Sequence, residues 1–307
     1  MDAELSICTV SFHSATWLAL NHALVTRLNP GAEVLWWVAE NTPGDAAERL
    51  DPATDRFRVV PGAPFEPRPY AAGSYHHAAG LARLIPRVAT RFLLVLDPDF
   101  FVVRRNWIRE VLEHMKSAQV AVFGAPWHPS RFRKLRYQPC AHCTFFDLER
   151  VDRDGLDFSP DYECGSNRAP KREARSLWSR ADPLRLAKRR RIGTSRDTGW
   201  RLQQRWATDP TLRVECLQPS FRPRLFQRIG DVCFPEALRL VPGRPGYFVS
   251  QSFADAGISG LEETDCEEFF WRGAPFGFHV RCHPIRTKRP GALEGLVLRV
   301  RHVLDGI

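Results

Sequence analysis

The run Arg91-Phe92-Leu93-Leu94-Val95-Leu96, followed at once by Asp97-Pro98-Asp99, constrains this chain more than any other stretch. Uninterrupted large apolar side chains, too few for an ordinary helix and without polar alternation, fit a central parallel strand covered on both faces. Open α/β sheets bind ligands beyond the carboxyl ends of their strands, and two carboxylates stand at that end here. The intervening Pro fixes the turn, so both acids can approach one hard cation, with magnesium or manganese the natural guest. Such an ion keeps part of its shell for substrate phosphates. The competing reading is an Asx-type turn with solvated carboxylates.

The rest of the first half agrees with such a sheet. Leu5 to Phe12, Glu33 to Ala39, Phe57 to Val60, Val120 to Phe123 and Thr144 to Asp147 read as strands, and Thr16 to Leu28, Gly73 to Ile85 and Ile108 to Met115 as helices. This alternation predicts a doubly wound α/β fold, with a mixed, mainly parallel sheet flanked by helices. Beyond Val151 the character changes. Asp157 to Arg191 is rich in Pro, Arg and Ser and reads as an excursion from the core. Thr194 and Asp197 stand at capping-box spacing before a helix reaching Trp206, Pro219 to Pro245 is irregular, and Leu293 to Leu304 is an amphipathic C-terminal helix. Phe278 to His283 reads as a strand with His279, Arg281 and His283 on one side.

Composition narrows the setting. A chain of 307 residues, 44% hydrophobic, can bury one large core or a core with a smaller lobe. No run approaches the ~20 apolar residues of a membrane span, and Met1-Asp2-Ala3-Glu4 is no signal-peptide start, so the expected compartment is cytoplasmic. The eight cysteines then read as reduced thiols, although Cys140-Ala141-His142-Cys143 has the spacing of half a zinc site, with Cys164 as a third sulfur. Arg168 to Arg201 holds twelve basic and three acidic residues, an excess equal to the whole net charge of +9. So localised a patch points to an acidic partner: the inner face of an anionic membrane touched peripherally, a phosphorylated glycan, or nucleic acid. Motifs of dehydrogenases, Walker-type ATPases and Gly-x-Ser-x-Gly hydrolases are absent.

Ser6-Ile7-Cys8-Thr9-Val10-Ser11-Phe12, Val38-Ala39-Glu40-Asn41 and Phe92 to Asp99 together resemble the family 2-like glycosyltransferases with the GT-A fold, from the N-terminus to about residue 125. The resemblance implies that Thr9, Ser11, Glu40 and Asn41 hold the nucleoside of a sugar donor, uridine or another. It implies that Asp97 and Asp99 hold Mn2+ or Mg2+, with Asp97 also at the donor, and that His279 or His283 completes the metal shell. Arg286 and Lys288, with Arg289, would cover the diphosphate. Asp197, within Ser195-Arg196-Asp197-Thr198-Gly199-Trp200-Arg201, is the nearest match to the family's catalytic acid and would be the base, although the preceding Glu is replaced by Arg196. His76-His77 stands where the family often carries Asn.

The implied reaction is transfer of a sugar from a nucleoside diphosphate sugar, a UDP-sugar first, to a hydroxyl of a glycan, lipid-linked or other polyanionic acceptor, with inversion. Residues 1–150 would bind the donor in a Rossmann-like half, and 151–307 would face the acceptor and close over metal and diphosphate, in one continuous domain. Two rivals belong to other classes. A sugar nucleotidyltransferase shares a related sheet and acidic pair, but its Gly-rich basic opening is absent from Thr9 to Thr16. The other is a nucleic-acid-binding protein without catalysis, led by the basic segment.

Overall fold

The computed structural model describes residues 3–44, 46, 48–52, 54–63, 72–131, 134–161, 196–223, 243–262, 264–280 and 292–307. Its main sheet has seven strands in the order β3-β2-β1-β4-β7-β6-β8. These are β1 (Leu5–Ser11), β2 (Val34–Glu40), β3 (Arg58–Pro61), β4 (Phe92–Leu96), β6 (Val122–Pro126), β7 (Pro139–Asp147) and β8 (Val214–Cys216). Pairing is parallel through β3, β2, β1 and β4, and again between β6 and β8. Only β7 runs against both its neighbours, β4 and β6. The sheet is therefore mixed and mainly parallel, as expected for this fold class.

Helices cover both faces, as the continuous burial of β4 requires. On one side Leu18 and Val25 of α1 (Ala15–Leu28) and Trp107, Val111 and Met115 of α3 (Trp107–Ser117) pack with Leu94 and Leu96. On the other, Leu81 and Leu84 of α2 (Ala72–Leu84) and Leu202 and Trp206 of α4 (Trp200–Thr208) pack with Leu93 and Val95. The alternation of Leu93, Leu94, Val95 and Leu96 between the two cores is the period-2 geometry of a strand acting on an all-apolar run.

A second, antiparallel sheet has the order β5-β11-β10-β9, from β5 (Phe100–Val102), β9 (Gln218–Pro219), β10 (Cys266–Trp271) and β11 (Ala274–Val280). Phe101, Phe270 and Phe278 of this sheet form a third core with Trp17 and Leu24 of α1 and with Leu296, Val300 and Val303 of α5 (Ala292–Asp305), the expected C-terminal helix. Because β5 follows β4 after only three residues, the Asp97-Pro98-Asp99 turn is the hinge where the chain leaves one sheet and enters the other.

One local expectation needs correction, and another reaches beyond the described residues. Gly199, with φ of +75°, precedes the first residue of α4, so Asp197 stands ahead of the helix rather than inside its first turn. Capping-box spacing placed the start too early, because it ignores a glycine able to adopt a left-handed backbone. The strand expected through His283 is described only to Val280, and residues 281–291 lie outside the described part. Among the described residues no helix is long and apolar enough to cross a membrane.

Candidate metal centre

The acidic turn is held from below. Asn21 of α1, fully buried, donates from Nδ2 to the carbonyls of Phe100 at 2.8 Å and Pro98 at 3.3 Å, and the Phe100 amide donates to the Asp97 carbonyl at 3.1 Å. With its backbone so tied, the turn presents its two carboxylates to side chains from two further strands and one helix.

β11 brings the first of these. It pairs with β5 in the register His279↔Phe100, and with β10 in the register Glu267↔His279. His279 Nε2 consequently lies 3.4 Å from Asp99 Oδ1 and 3.9 Å from Asp97 Oδ2, while its Nδ1 lies 3.5 Å from Glu267 Oε2. Arg131 reaches the other oxygen of Glu267 at 3.0 Å. An imidazole directed by a carboxylate on one nitrogen while the other faces the centre is the usual outer-shell arrangement of a metal-ligating histidine.

β7 brings the second. The β4–β7 pairing extends past Leu96↔Cys143 through the Asp97 amide, which donates to the His142 carbonyl at 2.8 Å, and His142 Nδ1 sits 2.9 Å from Asp97 Oδ2. The two imidazoles stack with centroids 4.2 Å apart, and Trp127 meets His142 edge-on at 4.5 Å. From α2, His77 Nε2 approaches the other Asp97 oxygen at 3.4 Å.

Charge in this cluster is strongly perturbed. Burial alone would raise the Asp97 carboxyl, but the charge of His77, the hydrogen bond and charge of His142, and the charge of His279 hold it down to about 2. Burial would likewise lower His279, yet Asp99 and Glu267 raise it to about 10. Burial and the charge on His279 together lower His142. The two stacked rings thus divide the labour, one an imidazolium and one neutral, because two adjacent cations would repel.

Asp97, His142 and His279 are the one group of three metal-capable side chains among the described residues, with one donor atom of each within 4.8 Å of the others. Two imidazoles and a carboxylate form a donor set that fits a divalent metal ion. His142 Nε2 is buried without a hydrogen-bond partner among the described residues, a cost that a ligand at the cluster would relieve.

Of the residues expected at this site, Asp97, Asp99 and His279 are brought together, and His283, Arg286 and Lys288 lie outside the described residues. Thr9 is buried and accepts from Trp36 Nε1 at 3.0 Å, and Glu40 accepts from the amides of Thr42 and Leu50 at 2.7 and 2.9 Å. Asn41 donates to the His76 carbonyl and accepts from the Ala63 amide, and the Ser11 hydroxyl is buried without a hydrogen-bond partner among the described residues. Asp197 accepts from Ser74 Oγ at 2.7 Å and from the Thr198 amide at 2.8 Å, and forms an ion pair with Lys134. Ser74 and His77 are one turn apart on α2, so the same helix face touches Asp197 and Asp97. Lys134 also lies over the Trp127 ring at 4.3 Å, which links Asp197 to His142 by a second route.

His142, His77, Glu267 and Lys134 are absent from the sequence-based site. For His142 the Cys-x-x-Cys spacing drew attention to its neighbours instead: Cys143 is buried in the core beside Leu96 and Phe145, and burial raises the thiols of Cys140 and Cys143. Neither belongs to a metal-capable group among the described residues, and Cys164 lies outside them, as does the basic segment from Arg168 to Ser195.

No protein-family model matches the chain, and no curated protein matches it. Among solved structures it is similar in part to mannosyltransferase PcManGT from Pyrobaculum calidifontis, in complex with GDP-Man and Mn2+, at 10% identity and TM-score 0.36, covering 54% of this chain and 50% of that one. It is similar to galactosyltransferase LgtC with donor and acceptor sugar analogs at 16% identity and TM-score 0.33, over 49% of this chain and 62% of that one. For S. aureus TarS residues 1–349 with UDP-GlcNAc the identity is 9% and the TM-score 0.33, over 50% and 48%. The chain thus spans about half to three-fifths of the length of these structures.

Proposed function

We propose that this protein is a metal-dependent glycosyltransferase that moves a sugar from a nucleoside diphosphate sugar, a UDP-sugar first, to an acceptor hydroxyl with inversion. The observation that carries the reading is the convergence of Asp97, Asp99, His279 and His142 at the carboxyl end of β4, the edge where open α/β sheets bind their ligands. Asp97, Asp99, His142 and His279 would hold the ion, Mn2+ in the first instance. When bound, the ion supplies positive charge to the donor diphosphate and to its departure. Ser11 and Asn41, at the ends of β1 and β2, would face the nucleoside, with Thr9 and Glu40 fixing the shape of those ends from inside. Arg286 and Lys288 would close on the diphosphate.

Asp197 is the proposed base. The acceptor oxygen attacks the anomeric carbon, the bond from that carbon to the diphosphate breaks with its electron pair leaving on the nucleotide, and the acceptor proton passes to the Asp197 carboxylate. Ser74 and the Thr198 amide orient that carboxylate, and Lys134 must yield one of its oxygens to the acceptor. Residues 1–150 are read as the donor side and 151–307 as the acceptor side, where the basic segment would meet a polyanionic acceptor.

The test is to mix purified protein with UDP-sugars and Mn2+ and to identify the phosphate product. Release of the nucleoside diphosphate supports the reading, and its loss in Asp97→Asn ties it to the site. Pyrophosphate release from UTP and a sugar 1-phosphate, with no nucleoside diphosphate released from UDP-sugars, would indicate nucleotidyl transfer instead. Salt-dependent binding to nucleic acid with no turnover on any nucleotide sugar would overturn the enzymatic reading altogether.

A further inference from the structure

Asp197 is anchored on one oxygen and covered on the other. Oδ1 accepts from Ser74 Oγ at 2.7 Å and from the Thr198 amide at 2.8 Å, and the Thr198 hydroxyl in turn donates to the Ser74 carbonyl at 3.2 Å. These bonds fix that oxygen between α2 and the approach to α4. Oδ2 carries the Lys134 ammonium, in an ion pair whose side chains are only 17% and 15% exposed. In the free protein the proposed base therefore faces a cation where an acceptor hydroxyl has to sit.

The ammonium has a second support. It lies over the Trp127 ring at 4.3 Å, and a cation above an indole face is attracted by the ring. Trp127 is itself pinned, because the hydroxyl of buried Tyr247 donates to its carbonyl at 2.7 Å and its ring meets His142 edge-on at 4.5 Å. Lysine is a point charge on a flexible stem, so Lys134 can leave Asp197 and remain on the indole. Without a carboxylate it would be an unpaired charge in a partly buried place, which is strongly unfavourable. A second anion beside Trp127 removes that penalty.

We propose that Lys134 determines acceptor specificity: it covers Asp197 until an acceptor carrying a negatively charged group beside its reacting hydroxyl takes the ammonium over. The exchange keeps the charges paired. The hydroxyl donates to Asp197 Oδ2 in place of the ammonium, and the ammonium, still on Trp127, turns to the anion of the acceptor. A neutral acceptor offers no such partner and should react at least about tenfold less efficiently, through the penalty for an unpaired buried charge. The proposal rests on the reading of Asp197 as the base, and the selecting residue it names stands outside both the metal centre and the basic segment.

The experiment is NMR of the metal-free full chain carrying isotope-labelled lysine, titrated with inorganic phosphate and, at equal ionic strength, with sodium chloride. Lys116, Lys134, Lys171, Lys188 and Lys288 are the only lysines, so the Cε–Hε signals are few, and Lys134→Arg identifies the one at issue. That signal is expected upfield in wild type, shielded by the Trp127 ring current, and should move with phosphate, but not with chloride, while staying upfield. A Lys134 signal indifferent to phosphate would overturn the proposal. So would one that UDP with Mg2+ moves as far as phosphate does, since the donor and not the acceptor would then open the pair. A second measurement is hydrolysis of a UDP-sugar with Mn2+, where water is the acceptor and brings no anion. Lys134→Gln uncovers the base and should hydrolyse roughly tenfold faster than wild type, part of the roughly 10²- to 10⁴-fold that a positioned base contributes. A lysine with a structural role alone would leave that rate unchanged or lower it, and either result in a variant with the wild-type melting temperature would overturn the proposal. A phosphate-responsive Lys134 in a protein that turns over no nucleotide sugar would sink sugar transfer and leave the anion exchange standing. Turnover with an indifferent Lys134 would do the reverse.

Discussion

Replacing Asn21 by Leu tests whether the acidic turn is held from inside the fold. The amide is fully buried and its Nδ2 serves two carbonyls of the turn, those of Phe100 at 2.8 Å and Pro98 at 3.3 Å. Leu is close in size, so no large cavity forms, and the cost is that of two buried acceptors losing their donor. The shorter bond contributes about 1 kcal/mol net and the longer one less, with a further penalty of roughly 1–3 kcal/mol where a carbonyl is left unsatisfied. One term opposes: Asn21 Oδ1 is itself buried without a hydrogen-bond partner among the described residues, and Leu removes that burden. The balance is a loss of about 1–2 kcal/mol, a substantial part of the roughly 5–15 kcal/mol that keeps a domain folded. Because the released carbonyls flank Asp99, the carboxylates should also lose their fixed separation, and Mn2+ affinity should fall by about tenfold, as when outer-shell support is removed. Urea denaturation reads the first effect and calorimetric Mn2+ titration the second. A variant as stable as wild type with unchanged Mn2+ affinity would show that Asn21 does not hold the turn.

The remaining predictions concern the site and its supports. With His279 raised to about 10, the metal-free protein carries an imidazolium at neutral pH, so binding Mn2+ must expel about one proton and affinity should climb close to tenfold per pH unit between pH 6 and 8; a flat profile would contradict this. The same shift makes the imidazolium's contribution to folding complete below its ordinary pKa of about 6.5, and denaturation of the metal-free protein should show it being lost as pH rises through about 10. Asp197→Asn should keep Mn2+ and donor binding while turnover drops by roughly 10²- to 10⁴-fold, and product NMR should show inverted configuration in wild type; retention would remove the need for that base. A Cβ on Gly80 would lie 2.7 and 2.8 Å from the Val10 methyl carbons, so Gly80→Ala should push α2 off β1, cost about 1–3 kcal/mol, and weaken Mn2+ binding through the displaced His77; a melting curve and a metal titration both unchanged would refute it.

The elements of the first half were legible because they rest on local signals. An all-apolar run closed by Asp-Pro-Asp dictates a buried strand and a rigid turn whatever surrounds it, and β4 with its acidic pair follows directly. Alternation likewise placed His279 on a strand. What local pattern does not carry is the choice of partner. His142 meets Asp97 across 45 residues of chain, because β7 runs antiparallel to β4 and its register carries His142 to the acidic turn. Cys-x-x-Cys spacing pointed toward a zinc half-site at the same stretch, since spacing registers thiols near in sequence and is blind to a carboxylate brought in by another strand. Glu267 meets His279, and Lys134 meets Asp197, for the same reason. The sequence by itself determined which strands are buried and where the acids stand, because hydrophobic period and proline stiffness act within a few residues. Only the tertiary structure decided that three imidazoles would gather around Asp97, because strand order and register are set by the packing of the whole sheet.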